Sequence, residues 1–213
     1  MKCKREMLRL YAVTDRSWLR GRTLKEQVEE ALRGGATCIQ LREKEMDEEE
    51  FLAEAVEMKR LCERYRTPFI INDNVRIALD CGADGVHVGQ TDMETGAVRA
   101  LLGEDKIIGV SAQTVEQALA AEAAGADYLG VGAVFPTTTK TDAREVSRRM
   151  LKDICSSVKI PVVAIGGIHR ENIMQLSRTG AAGVALVSAV FAADRIEEEC
   201  RELRRLSERM AEG

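Results

Sequence analysis

Two aspartates, Asp73 and Asp92, each follow a short apolar run, Pro68–Ile71 and Val86–Val88, and each has an amide side chain close by, Asn72 and Gln90. Paired carboxylates suit a hard cation such as Mg2+, which keeps several waters and completes its shell with phosphate oxygens. Each aspartate alone reads equally well as a helix N-cap. Together, with the amides beside them, they favour the metal. A second cluster, Gln40-Leu41-Arg42-Glu43-Lys44, ends another apolar run. Period-two alternation puts Gln40, Arg42 and Lys44 on one face and turns Leu41 and Glu43 the other way. An amide and two cations converging beside a metal would clamp a diphosphate, since Arg grips two oxygens at once and Lys supplies a point charge. The acidic stretch of residues 45–50 that follows is a solvated helix start.

Further along, Thr137-Thr138-Thr139-Lys140 is a hydroxyl-rich run with one lysine. It reads as a polar surface loop or as an anion-binding flap. Gly166-Gly167 and Val187-Ser188 close two later apolar runs, and glycine lets backbone N–H groups approach a phosphate. The plain alternative for the glycines is a tight turn. Ser111 ends the run Ile107–Val110. His87, which could face either way on its strand, and His169, beyond the glycine turn, read as structural. No nucleophile elbow, triad or zinc-ligand cluster is present in the sequence.

Apart from the two histidines, these groups stand at or just past the ends of apolar runs, near 8–14, 36–42, 68–72, 84–89, 106–111, 127–133, 161–166 and 182–187. Segments with helical periodicity separate the runs: Leu24-Val28-Ala31-Leu32, Phe51-Leu52-Ala55-Val56-Met58 and Val115-Ala118-Leu119-Ala121-Glu122. Gly-Ala junctions at Gly35-Ala36, Gly82-Ala83, Gly125-Ala126 and Gly180-Ala181 each close a helix and open a strand. Eight strands alternating with helices, with polar chemistry at nearly every strand exit, predict an α/β fold, a (β/α)8 TIM barrel, as a single domain over residues 1–213. An open doubly wound sheet alternates in the same way but concentrates its chemistry at one switch point. The tail after Asp194, with Ile196, Cys200, Leu203, Leu206 and Met210 at helical spacing, reads as an amphipathic helix closing the barrel.

The 213 residues suit one barrel domain, and 31 basic against 35 acidic residues leave a formal net charge of -4. No global field favours nucleic acid or an anionic membrane, so any anion site must be local. The six cysteines form no C-x-x-C pair, which predicts free thiols in a reducing, cytoplasmic setting. No run is long enough to span a membrane, and the first residues lack a signal-like apolar stretch.

Several blocks are specific in combination: Gln40-Leu41-Arg42-Glu43-Lys44, Ile71-Asn72-Asp73, His87-Val88-Gly89-Gln90-x-Asp92, Gly109-Val110-Ser111, Phe135-Pro136-Thr137-x-Thr139-Lys140 and Ala164-Ile165-Gly166-Gly167-Ile168. With Tyr11-Ala12-Val13-Thr14-Asp15 and Ala185-Leu186-Val187-Ser188 at either end, the chain resembles the thiamine-phosphate synthase family over nearly its whole length. The resemblance implies a transferase that joins hydroxymethylpyrimidine diphosphate to a hydroxyethylthiazole phosphate, or its carboxylated form, and releases diphosphate. It implies that Gln40, Leu41, Arg42, Glu43, Lys44, Asn72, Ser111 and Lys140 contact the pyrimidine diphosphate. Arg42, Lys44, Lys140 and Ser111 would carry the catalysis, and Asp73 and Asp92 would bind Mg2+. Thr137, Thr138, Thr139, Gly167, Val187 and Ser188 would hold the thiazole phosphate, with Gly166 beside them. Ala133 stands near where a proline is expected and Gln113 where His or another polar residue is usual, which bears only on loop geometry. Two alternatives bind a thiazole phosphate without joining it to anything: a thiazole tautomerase, which needs no diphosphate clamp, and a non-catalytic sensor.

Overall fold

The structure is a computed structural model and describes residues 3–137 and 145–213. Eight parallel strands close into a barrel in sequence order: β1 (Leu10–Val13), β2 (Cys38–Leu41), β3 (Phe69–Asn72), β4 (Gly85–Val88), β5 (Ile107–Ala112), β6 (Tyr128–Val131), β7 (Val162–Ile165) and β8 (Gly183–Leu186). β8 pairs with β1, Ala185 opposite Tyr11, so no edge remains. This is the barrel expected from the alternation of runs, and every strand lies inside its expected span except β5, which continues one residue further, to Ala112.

Alternation along each strand sorts the apolar side chains into two layers. Ala12, Ile39, Leu41, Ile71, Val86, Val88 and Leu129 point outward into the layer shared with the helices. Tyr11, Cys38, Ile70, Ile107, Tyr128 and Val163 point inward and fill the barrel. Each Leu, Ile or Val withdrawn from water in this way stabilises by about 1.5–3 kcal/mol, so a register slip that exchanged the layers would be heavily penalised.

The helices are α1 (Leu24–Arg33), α2 (Glu48–Arg64), α3 (Val75–Asp80), α4 (Thr95–Leu102), α5 (Val115–Ala123), α6 (Arg148–Ser157), the short α7 (Ser188–Phe191) and α8 (Ile196–Glu212). Local chemistry sets their starts. Thr23 and Glu26 form a reciprocal capping box on α1, and Asp47 caps α2 through Glu50 N–H. Between β7 and β8 the expected helix is only a 3-10 turn, Ile173–Leu176. Asn172 accepts from His169 N–H and donates to the Gly167 carbonyl, holding a tight corner with no length left for a regular helix.

The predicted closing helix is α8. Arg204 reaches the Gly35 carbonyl at 2.9 Å, Ser207 donates to the Arg9 carbonyl, and Arg33 pairs with Glu197 at 3.1 Å. Gly34 is needed here, because a methyl group on it would lie 2.5 Å from the Cys200 β-carbon. At the opposite face from the strand exits, Arg99 donates to the carbonyls of Gly103, Lys106 and Gly125 and pairs with Asp127 at 2.5 Å. All six cysteines are free. Among the described residues no helix is long and apolar enough to cross a membrane.

Candidate active site

A cavity of about 470 Å³ opens at the C-terminal ends of the strands. Gln40, Arg42 and Lys44 from the β2 exit line it, as do Asn72, Asp73, Asp92 and Ser111 from the exits of β3 to β5. Thr137, Gly166, Gly167, Val187 and Ser188 line the other side. The structure thus brings together most of the predicted site residues. Thr138, Thr139 and Lys140 lie outside the described residues.

Leu41 and Glu43 were expected to contact substrate, and their side chains do not reach the cavity. Alternation explains this: Leu41 is fully buried in the outer layer, and Glu43 turns toward Arg16. The Arg16 Nε–H is shared between both Glu43 oxygens at 2.9 and 3.0 Å, while its Nη2 donates to Glu54 at 2.6 Å. Burial pushes the Glu43 carboxyl up to about 7 against the opposing pull of Arg16. The cluster pins the loop between the two cavity-facing cations. Arg42 is held from behind as well, its N–H donating to the Thr14 hydroxyl at 3.0 Å.

Neither aspartate caps a helix. Asn74 caps α3 by accepting from Ile77 N–H, and α4 begins at Thr95, beyond Asp92. Asp73 instead takes a left-handed φ of 61°, its N–H bonded to the His87 carbonyl at 2.8 Å, and Asn72 donates to its Oδ2 at 2.6 Å. Asp92 folds back so that its Oδ2 accepts from Gly89 N–H at 2.7 Å. Burial first, and then Asp92, raise the Asp73 carboxyl to about 6. Two hard carboxylates that repel one another at the exposed mouth of the cavity are a donor set a divalent cation would satisfy. No group of three or more metal-ligating side chains occurs among the described residues, so a cation here would draw its remaining ligands from waters and substrate.

On the far side, Gly166 and Gly167 adopt φ of 98° and 63°. A methyl group on Gly167 would lie 2.3 Å from the Pro136 carbonyl oxygen, so glycine lets the β6 exit cross directly over the β7 exit. His169 is exposed, bonded to Glu171, and outside the cavity lining.

His87 is different. Sequence reasoning set it aside, yet it lines the cavity with its Nδ1 3.0 Å from the Tyr128 hydroxyl and its Nε2 3.0 Å from Ser111 Oγ. The apolar outward neighbours Val86 and Val88 could have revealed its inward direction, by the same alternation that sorted Gln40 from Leu41.

A profile described as thiamine monophosphate synthase matches residues 10–190. The chain belongs to the thiamine monophosphate synthase family. It is 51% identical over 193 residues to the thiamine-phosphate synthase of Clostridium acetobutylicum, covering 91% of this chain and 92% of that one. It is 49% identical to the Enterococcus faecalis thiamine-phosphate synthase, covering 98% and 99%. The solved thiamine phosphate pyrophosphorylase from Pyrococcus furiosus superposes with a TM-score of 0.89 at 41% identity, over 97% of this chain and 98% of that one. Membership makes the protein a transferase of thiamine biosynthesis, and the cavity at the strand exits is its candidate active site.

Proposed function

We propose that the enzyme condenses hydroxymethylpyrimidine diphosphate with hydroxyethylthiazole phosphate, or its carboxylated form, giving thiamine phosphate and diphosphate with Mg2+ as cofactor. The observation that carries this reading is the two-sided cavity. One side gathers Arg42, Lys44, Asn72, Asp73, Asp92 and Ser111; the other is backbone-rich, at Gly166, Gly167, Val187 and Ser188. A diphosphate suits the first side and a single phosphate the second, since barrels commonly hold phosphate on the loops after strands seven and eight.

Asp73 and Asp92 would hold Mg2+, which when bound neutralises charge on the diphosphate. Arg42 and Lys44, with Lys140, would stabilise the same oxygens as the bond to the pyrimidine methylene carbon breaks, by electrostatics fixed before the reaction begins. The electron-rich aminopyrimidine ring stabilises the carbocation left behind, and the thiazole nitrogen then attacks it. Holding the thiazole by its remote phosphate turns binding energy into orientation. No side-chain nucleophile is required.

The test is diphosphate release from hydroxymethylpyrimidine diphosphate, with mass detection of thiamine phosphate. Product that requires both substrates and Mg2+ supports the reading. Thiazole phosphate binding without product would replace it with the tautomerase or the sensor.

A further inference from the structure

The barrel interior holds a continuous chain of hydrogen bonds that the reaction as described does not use. Gln40 Nε2 donates to the Tyr11 hydroxyl at 2.8 Å, which lies 2.7 Å from the Tyr128 hydroxyl. Tyr128 meets His87 Nδ1 at 3.0 Å, and His87 Nε2 meets Ser111 Oγ at 3.0 Å. The chain therefore crosses the barrel from β2 to β5 through strands β1, β6 and β4, and both of its ends line the cavity. The rings are seated against bare backbone: a methyl group on Gly109 would lie 2.1 Å from Tyr128 Cζ, and one on Gly130 would lie 3.0 Å from His87 Cε1.

Proton counting gives the chain one direction. An amide nitrogen can only donate, so Tyr11 accepts from Gln40 and has a single proton of its own to place. Tyr11 and Tyr128 are each 1% exposed, and burial raises both phenols well above the ordinary tyrosine value, so both keep their protons. A buried hydroxyl proton without an acceptor is strongly disfavoured, and of its other two neighbours the Cys38 sulfur is a weak acceptor, so Tyr11 donates to the Tyr128 oxygen at 2.7 Å. Tyr128, with Tyr11 donating to it, has His87 Nδ1 left to receive its own proton and donates there. The imidazole then carries its proton on Nε2 and donates to Ser111 Oγ.

We infer that Tyr11, Tyr128 and His87 are positioning residues that fix the Gln40 amide and leave the Ser111 hydroxyl proton free to be donated into the cavity. Ser111 becomes an obligate donor to the pyrimidine diphosphate, an assignment that rests on the proposed reaction for the identity of the ligand. The direction of the chain does not depend on that identity. With the opposite tautomer, Ser111 would spend its proton on His87 and meet the ligand only as an acceptor.

Two measurements test this separately. Heteronuclear NMR of the histidine ring nitrogens, above neutral pH and without substrate, reads the tautomer directly. The chain has two histidines, so His169→Gln assigns the remaining signal. The expected result is a protonated Nε2 and an unprotonated Nδ1 on His87, with Tyr128→Phe removing the bond that holds Nδ1 unprotonated and so letting both tautomers be populated. In the kinetic arm, Tyr128→Phe raises KM for the pyrimidine diphosphate about tenfold, the size of one lost buried hydrogen bond. KM for the thiazole phosphate changes by less than about twofold, and in a Ser111→Ala background the Tyr128→Phe effect collapses, because the two act through one bond. Tyr11→Phe leaves His87 Nδ1 to receive the Tyr128 proton and so should keep the Nε2 tautomer, and if Tyr128→Phe does not fold the parent protein's tautomer is itself the test. A His87 protonated on Nδ1 in the parent protein overturns the inference, as do Tyr128 and Ser111 effects that simply multiply. Absence of any product would refute the proposed reaction while leaving the NMR result decisive for the chain.

Discussion

Gly167→Ala is the sharpest test of how the two strand exits share space. Gly167 sits at φ 63°, where an alanine costs about 1–2 kcal/mol from its own backbone. Its new methyl group would also lie 2.3 Å from the Pro136 carbonyl oxygen and 2.8 Å from that of Phe135, far inside contact distance. Both neighbours are main chain, so relief requires the β6 exit to move, at a further cost of about 1–3 kcal/mol. Gly21→Ala separates the two costs, because Gly21 has φ 81° with nothing within 4 Å of the added methyl. For a chain of this size each kcal/mol lowers Tm by about 2–4 °C. Gly21→Ala should therefore lose about 2–8 °C and Gly167→Ala about 4–20 °C, read by circular dichroism melts. The displaced exit carries Thr137, so KM for the thiazole phosphate should rise about tenfold or more in Gly167→Ala and stay unchanged in Gly21→Ala. Equal melting losses for the two variants, or an unaltered thiazole KM in Gly167→Ala, would show that the two strand exits do not share space at Gly167.

Three further outcomes are expected. Arg42→Ala should cut kcat by about 10²–10³-fold while leaving Tm nearly unchanged; near-normal turnover with Mg2+ would remove Arg42 from the leaving-group site. Glu43 is raised to about 7 from an ordinary 4.5, so between those values the folded chain holds a proton that the unfolded chain has released. The stability this confers is complete below about 4.5 and is lost as pH rises through about 7, so denaturant midpoints should fall across that window in the parent and flatten in Glu43→Gln; parallel curves would contradict it. Arg99→Ala strands the Asp127 carboxylate and three carbonyls together, which should destabilise by about 3 kcal/mol, whereas Lys25→Met, removing an exposed pair with Glu57, should leave the melting midpoint where it was.

The strands were legible because each is a short apolar run stopped by a polar cluster, and alternation then told inward from outward. That rule correctly aimed Gln40, Arg42 and Lys44 into the cavity, and it also predicted that the side chains of Leu41 and Glu43 would turn away, as they do. Applied to β4 it would have turned His87 inward, but one histidine between two valines has no local partner in sequence to announce its role. Tyr11 and Tyr128 were hidden more completely: 117 positions apart and embedded in apolar runs, they look like core until closure brings their hydroxyls together. The aspartates were ambiguous for a similar reason. Whether Asp73 or its neighbour Asn74 caps α3 depends on the left-handed turn at Asp73, which residue type alone does not specify. The reduced helix between β7 and β8 depended on the Asn172 corner, whose partner on Gly167 is a backbone carbonyl.

The pairing of β8 with β1, under the clasp of α8, has a consequence for how the chain is made. Synthesis delivers β1 first of the eight strands and β8 last, so the edge of β1 finds its native cover only after residues 183–186 have emerged. An unpaired edge is a template for wrong partners, and contacts this distant in sequence are slow to form. The 17-residue α8, touching both Gly35 and Arg9, is the latch laid over that closure.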